Sequence, residues 1–183
     1  MPFEALPERV FLDSSTLQML QDYGGAIWEN EPLPSNAPVH RMPHGEATVE
    51  TLRSIFFVNQ RALWQFALSE NSLQEVADRQ DHRYLQWAYD VLDHWRICIE
   101  ESGPPSPRGV EVAALLDGAS FGYLSRGDKA LLFDALALEC DAFLTCDAKL
   151  AKNADHLERA LPLLVLTPTR YWEMLSPWAA LYT

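Results

Sequence analysis

The 183-residue chain is a little longer than a typical domain of about 150 residues, and its 48% hydrophobic and 22% charged content excludes a disordered, a collagenous or a disulfide-dense chain. Its 26 acidic residues outweigh 14 basic ones for a net charge of −12, so it lacks the positive face of a general nucleic-acid coat or a membrane-surface binder. Action on nucleic acid then requires that the few cations sit beside the site.

No apolar run approaches the roughly 20 residues of a membrane span. The opening MPFEALPERVFLD carries acids where a signal peptide needs a cationic segment. Cys98, Cys140 and Cys146 are an odd count without a CxxC pair, the pattern of reduced thiols in a cytoplasm. The expectation is one cytoplasmic domain covering 1–183.

In chain order, Arg9-Val-Phe-Leu12 reads as a strand ending at Asp13, and Ser14-Ser-Thr16 starts a helix to about Tyr23 that Gly24-Gly25 ends. Pro32, Pro34, Pro38 and Pro43 mark a loop over about 29–45. Val49, Leu52, Ile55, Phe56 and Leu63 recur at helical spacing from Glu46 to Ala62. A second strand covers Leu63–Leu68, after which Ser72 and Glu75 have capping-box spacing. Leu85, Ala88, Val91, Leu92 and Trp95 form one helical stripe between Asp81 and Glu101, and Ser102–Gly109 is the clearest break in the chain. Beyond it the pattern predicts a helix over Val110–Leu116, a turn at Ser125-Arg-Gly127 and a helix from Asp128 to about Cys140. A strand at Ala142–Thr145, a helix near Lys149–Leu157, a strand at Leu163–Thr167 and a short helix at Thr169–Leu175 complete it. Strands alternating with helices imply an α/β fold, a mainly parallel sheet between two helical layers. Ligands bind such folds beyond the carboxyl ends of the strands.

Asp13 and Asp147 follow directly on apolar strands, and Glu75 and Asp128 sit near helix starts, so a parallel sheet projects all four from one edge. Carboxylates converging in one cleft repel each other unless a cation lies among them. The usual occupant is a hard divalent ion held through carboxylates and water, a site suited to phosphodiester hydrolysis. The plainer account of Glu75 or Asp128 is that an acid in a first helical turn favours the helix dipole.

Val10-Phe-Leu-Asp13-Ser-Ser resembles the first motif of PIN-domain nucleases, an apolar strand ending in Asp before Ser or Thr. Ser69-Glu-Asn-Ser-Leu-Gln-Glu75 is similar to the second. The run from Gly127-Asp128-Lys through the Ala-Leu helix and Ala-Phe-Leu-Thr145-Cys-Asp147 resembles the third and fourth, and Leu163-Leu-Val-Leu-Thr-Pro168 looks like the final strand. The resemblance implies a three-layer α/β/α PIN-like fold and a metal-dependent endoribonuclease using Mg2+ or Mn2+. Asp13, Glu75, Asp128 and Asp147 would be metal ligands and catalytic acids, with Ser14 and Thr145 orienting carboxylates. The interval from Asp13 to Glu75 is longer than in the compact form of the family and reads as a loop–helix insertion over about 29–62.

The lysines, Lys129, Lys149 and Lys152, all fall in the block holding Asp128 and Asp147, joined by Arg126. They are candidates to hold RNA phosphates; pairing with neighbouring acids on solvated helices accounts for them equally well. The partners implied are an RNA substrate, a second copy of the chain in a homodimer using the aromatic C-terminus (Trp172, Trp178) and, in the role of toxin of a toxin–antitoxin pair, a basic antitoxin-like protein. The rival is a non-catalytic PIN-like module that binds RNA or a basic partner. A haloacid-dehalogenase-like nucleophile loop is set aside because Ser15 stands where a second Asp is needed. Zinc at Cys140, Cys146 and a histidine is weaker than two buried thiols, and His40 and His44 flank Pro43 in a loop. Asp13→Asn or Asp128→Asn is expected to abolish cleavage, keep the fold and stabilise the metal-free protein by relieving repulsion.

Overall fold

The computed structural model describes residues 2–62, 64–69, 71–72 and 107–182. Glu75, the Asp81–Glu101 helical stripe and most of the Ser102–Gly109 break lie outside the described residues. Along the chain run β1 (Arg9–Leu12), α1 (Ser14–Asp22), α2 (Gly24–Trp28), α3 (Gly45–Ala62), β2 (Gln65–Ala67), α4 (Pro107–Leu116), α5 (Arg126–Ala137), β3 (Ala142–Leu144), α6 (Ala148–Lys152), α7 (Ala154–Ala160), β4 (Leu164–Leu166) and α8 (Pro168–Leu175). The fold is α/β, as the alternation predicts, with four described strands in the order β2-β1-β3-β4, all parallel.

Each strand is apolar at successive positions because both sheet faces are covered. Val10 and Leu12 of β1, Phe66 of β2, Ala142 and Leu144 of β3 and Leu166 of β4 face one core cluster with Leu17, Leu20, Leu52, Ile55 and Tyr171. Phe11, Ala67, Phe143 and Val165 face the other with Leu116, Phe121, Leu131, Leu132 and Leu157. The period-2 alternation of a strand thus sorts one unbroken apolar run into two layers. Across the second face Phe11 stacks on Phe143, with centroids 5.5 Å apart and planes at 10°.

The stretch over 29–62 is part of the β1-to-β2 crossover. Its helix α3 packs against α2 and α8 and buries Val49, Leu52, Ile55 and Val58 in the core. The entry to α3 is tight: His44 has φ of 58°, and a Cβ on Gly45 would lie 2.3 Å from the Val39 carbonyl.

Two expected boundaries move, and one short helix is added. α1 ends at Asp22, just before Gly24-Gly25 as expected, but the glycines themselves open a further helix, α2, in which Ile27 is buried and the Trp28 ring lies against Gly24, 3.1 Å from where a Cβ would stand. Ser125-Arg-Gly127 is not a turn but the cap and first turn of α5, drawn into helix by a capping box between Ser125 and Asp128. The helix expected over Lys149–Leu157 is two, α6 and α7, divided at Asn153. No helix among the described residues is long and apolar enough to cross a membrane.

Candidate functional site

From β1 the chain crosses to β2 on one side of it, then returns past β1 to β3 on the other. The direction of winding therefore reverses between β1 and β3. In open parallel sheets the crevice beyond the carboxyl ends of such a pair is the usual ligand site. Asp13 ends β1, Thr145 ends β3, and Asp13 N–H donates to the Leu144 carbonyl at 3.1 Å.

Asp13 is 4% exposed. It occupies the N-cap position of α1, yet its side chain makes no cap hydrogen bond. Its carboxylate instead accepts hydroxyl donors on Oδ2: Thr145 Oγ1 at 2.6 Å and Ser15 Oγ at 2.5 Å. Ser14 Oγ reaches Oδ1 only at 3.4 Å. Of the two residues expected to orient carboxylates, Thr145 therefore holds Asp13 closely and Ser14 weakly. The stronger serine is Ser15, which reads from the sequence only as part of a helix start. A run of hydroxyls directly after a strand-ending acid was the available signal.

The same hydroxyls fix the backbone of the next segment. Thr145 Oγ1 accepts from Asp147 N–H at 3.0 Å, and Ser15 Oγ accepts from Cys146 N–H at 3.0 Å. Thr16 Oγ1 donates to the Leu144 carbonyl at 2.8 Å, locking α1 onto the end of β3. Asp147 caps α6 by accepting Lys149 N–H at 2.6 Å and Leu150 N–H at 3.4 Å on Oδ1. Asp128 accepts Ser125 N–H at 2.8 Å on Oδ2, and that oxygen also lies 3.5 Å from Lys149 Nζ. The contacts thus run without a gap from Asp13 through Thr145 to Asp147, and through Lys149 to Asp128.

On the β2 side, Ser69 and Ser72 are both buried with hydroxyls 3.3 Å apart, and Asn71 Nδ2 donates to Asp134 of α5 at 2.8 Å. Glu75, three residues beyond Ser72 in the sequence, lies outside the described residues. Of the four cations, Lys129 pairs with Asp117 at 3.6 Å and Lys149 with Asp128. Arg126 and Lys152 are exposed and make no ion pair among the described residues.

The oxygen donors suit a hard divalent cation. Each cap engages one oxygen, Oδ2 of Asp128 and Oδ1 of Asp147, and the second oxygen of each accepts no hydrogen bond from a described residue. Among the described residues, however, no three His, Cys, Asp or Glu side chains gather closely enough to hold a metal. Lys149 is the cation seated at Asp128 in this arrangement.

Among the described residues Asp13 has hydroxyl donors as its close partners, so neutralising it removes charge-assisted hydrogen bonds, a loss that opposes the stability expected from relieved repulsion. Burial pushes the half-buried Cys146 thiol up to about 12, opposed by the Thr16 hydroxyl and reinforced by the Asp13 charge. Cys140 precedes β3 and Cys146 follows it, so with roughly 3.3 Å per extended residue they lie at opposite sheet edges and do not share a zinc ion. His40 instead bonds Glu46 and the Pro34 carbonyl, both at 2.8 Å. Trp172 and Trp178 pack against the core as half-buried residues. No protein-family model, no curated protein and no solved structure matches the chain.

Proposed function

We propose that the chain is a PIN-like, metal-dependent endoribonuclease whose active centre is the carboxyl edge between β1 and β3. What supports this reading most is the unbroken set of contacts joining Asp13, Thr145, Asp147, Lys149 and Asp128 at the point where the winding of the sheet reverses. Asp13, Asp128 and Asp147, with Glu75, would hold Mg2+ or Mn2+, which supplies Lewis acidity and an activated water for phosphodiester hydrolysis.

The chain's own groups have definite tasks in that reaction. Thr145 and Ser15 fix the Asp13 carboxylate, so a buried negative charge keeps one orientation. Asp147 and Asp128 are held at helix starts, where the helix dipoles stabilise their charge. Lys149 neutralises Asp128 in the resting protein, and its flexible stem lets the amine turn to an RNA phosphate. Arg126 and Lys152, both exposed, offer further phosphate contacts. With an excess of negative charge elsewhere, the surface favours a particular RNA over indiscriminate degradation. In a toxin role, a basic antitoxin-like protein is the complementary partner.

The test is cleavage of an end-labelled RNA pool in Mn2+ by the wild type, Asp13→Asn and Asp128→Asn. Both variants should lose cleavage while keeping their far-ultraviolet circular dichroism. Unchanged cleavage in both overturns the assignment. The rival, a non-catalytic module, is favoured by one observation: Asp128 and Asp147 already serve as helix caps. Wild-type protein that binds RNA or a basic peptide, cuts nothing, and binds equally well after neutralisation of all three acids establishes that rival.

A further inference from the structure

The opposite, amino-terminal edge of the sheet carries a cavity of about 470 Å3, within the roughly 300–1,000 Å3 range of small-molecule sites. Phe3, Trp64 and Tyr182 supply its aromatic surface, and Glu8, Arg9 and Asp141 its charged groups. The rings form one patch. Trp64 meets Tyr182 edge-on at 5.6 Å, and Tyr182 stacks on Phe3 at 6.5 Å. Asp141 is anchored at the rim, where its Oδ2 accepts Glu8 N–H at 3.0 Å and Arg9 N–H at 2.9 Å.

The polar complement is unbalanced in an informative way. Arg9 Nε is buried without a hydrogen-bond partner, a costly state for a charged donor. Arg9 makes no ion pair among the described residues, although two carboxylates line the same cavity. A simple cation would satisfy the carboxylates and the rings but leave Arg9 unpaired and be repelled by it. An aromatic anion would pair with Arg9 but face two negative charges. A neutral planar base with acceptors on one edge and donors on another meets all three conditions.

Guanine has this pattern: O6 and N7 accept from an arginine fork, N1–H and the N2 amine donate to a carboxylate, and its face stacks on aromatic rings. Adenine lacks both the O6 acceptor and the N1–H donor. We propose that this cavity binds a guanine base, carried by a free nucleotide or unpaired in an RNA strand.

Calorimetry in EDTA keeps this test independent of the carboxyl-edge reading. The probes are GMP, AMP, an unstructured hexanucleotide with one guanine, and the same strand with adenine in its place. A guanine probe should bind at least about tenfold more tightly than its adenine counterpart. Arg9→Met and Glu8→Gln should each weaken guanine binding at least about fivefold, the lower end expected for loss of one base-reading contact. Glu8 is exposed, so Glu8→Gln remains a test if Arg9→Met does not fold. Tighter binding of the guanine hexanucleotide than of GMP identifies RNA as the source, and equal or weaker binding identifies the free nucleotide. No preference for guanine over adenine in either form overturns the proposal, as does a preference that survives the folded variants.

Discussion

Replacing Thr145 by valine keeps the outline of a side chain that is fully buried and removes one hydroxyl from the carboxyl edge. Two close bonds go with it, the 2.6 Å donation to the Asp13 carboxylate and the 3.0 Å acceptance from Asp147 N–H, together with a longer 3.3 Å contact to the Ser15 hydroxyl. A hydrogen bond to a charged group contributes about 1.5–3 kcal/mol, and a neutral backbone bond about 1 kcal/mol. Ser15 still serves Asp13 Oδ2 and water can reach the partly buried Asp147 N–H, so the cost falls at about 2–3 kcal/mol, below the full sum of about 2.5–4 kcal/mol. With a urea slope near the middle of the usual range, about 2 kcal/mol per molar, the unfolding midpoint should drop by about 1–1.5 M. Ser14→Ala is the matched control. It removes only a 3.4 Å contact to the same carboxylate and should cost less than about 0.5 kcal/mol. A Thr145→Val midpoint within error of the wild type, or a Ser14→Ala loss of equal size, refutes the claim that Thr145 and Ser15, not Ser14, hold Asp13.

Glu139 ends α5 in the left-handed region with φ of 56°, in a cap where Cys140 N–H donates to the Ala135 carbonyl at 2.9 Å and Glu139 N–H to that of Leu136 at 3.1 Å. The left-handed conformation costs a non-glycine residue about 1–2 kcal/mol, and glycine gives back about 0.4–1 kcal/mol through its freer unfolded chain. Glu139→Gly should therefore raise stability by about 0.5–1 kcal/mol, and a lowered melting temperature contradicts the cap assignment. The Cys146 thiol, held up to about 12, should resist iodoacetamide at pH 8.5 in the native protein. Modification at the rate of a free thiol, read at the Cys146 peptide, counts against its burial. Because the unfolded thiol ionises from its ordinary value of 9.0 while the folded one stays neutral to about 12, its contribution to stability is complete below about pH 9 and lost as the pH rises toward 12. Cys146→Ala should flatten the alkaline fall of stability across that interval.

Local patterns in the chain determine much of this architecture. Val10-Phe11-Leu12 and Ala142-Phe143-Leu144 are apolar without a break, which only a strand covered on both faces explains, and each precedes a helix start that an acid or hydroxyl can cap. These features make α/β layering and the position of Asp13 and Asp147 at strand ends readable in advance, because both follow from interactions within a few residues. Asp128 was readable as a first-turn acid for the same reason, but its contact with Lys149 was not. Gly24-Gly25 shows the limit of such reading: α1 stops before the pair as expected, but the burial of Ile27 and the packing of Trp28 draw the glycines themselves into a further short helix. Tertiary structure alone decided that β3 lies beside β1, since strand order depends on pairings across 130 residues and not on any local preference. That adjacency brings Thr145 to Asp13, makes Ser15 a bridge between two segments, and sets the half-buried Arg9 in the cavity that Trp64 also lines at the opposite edge.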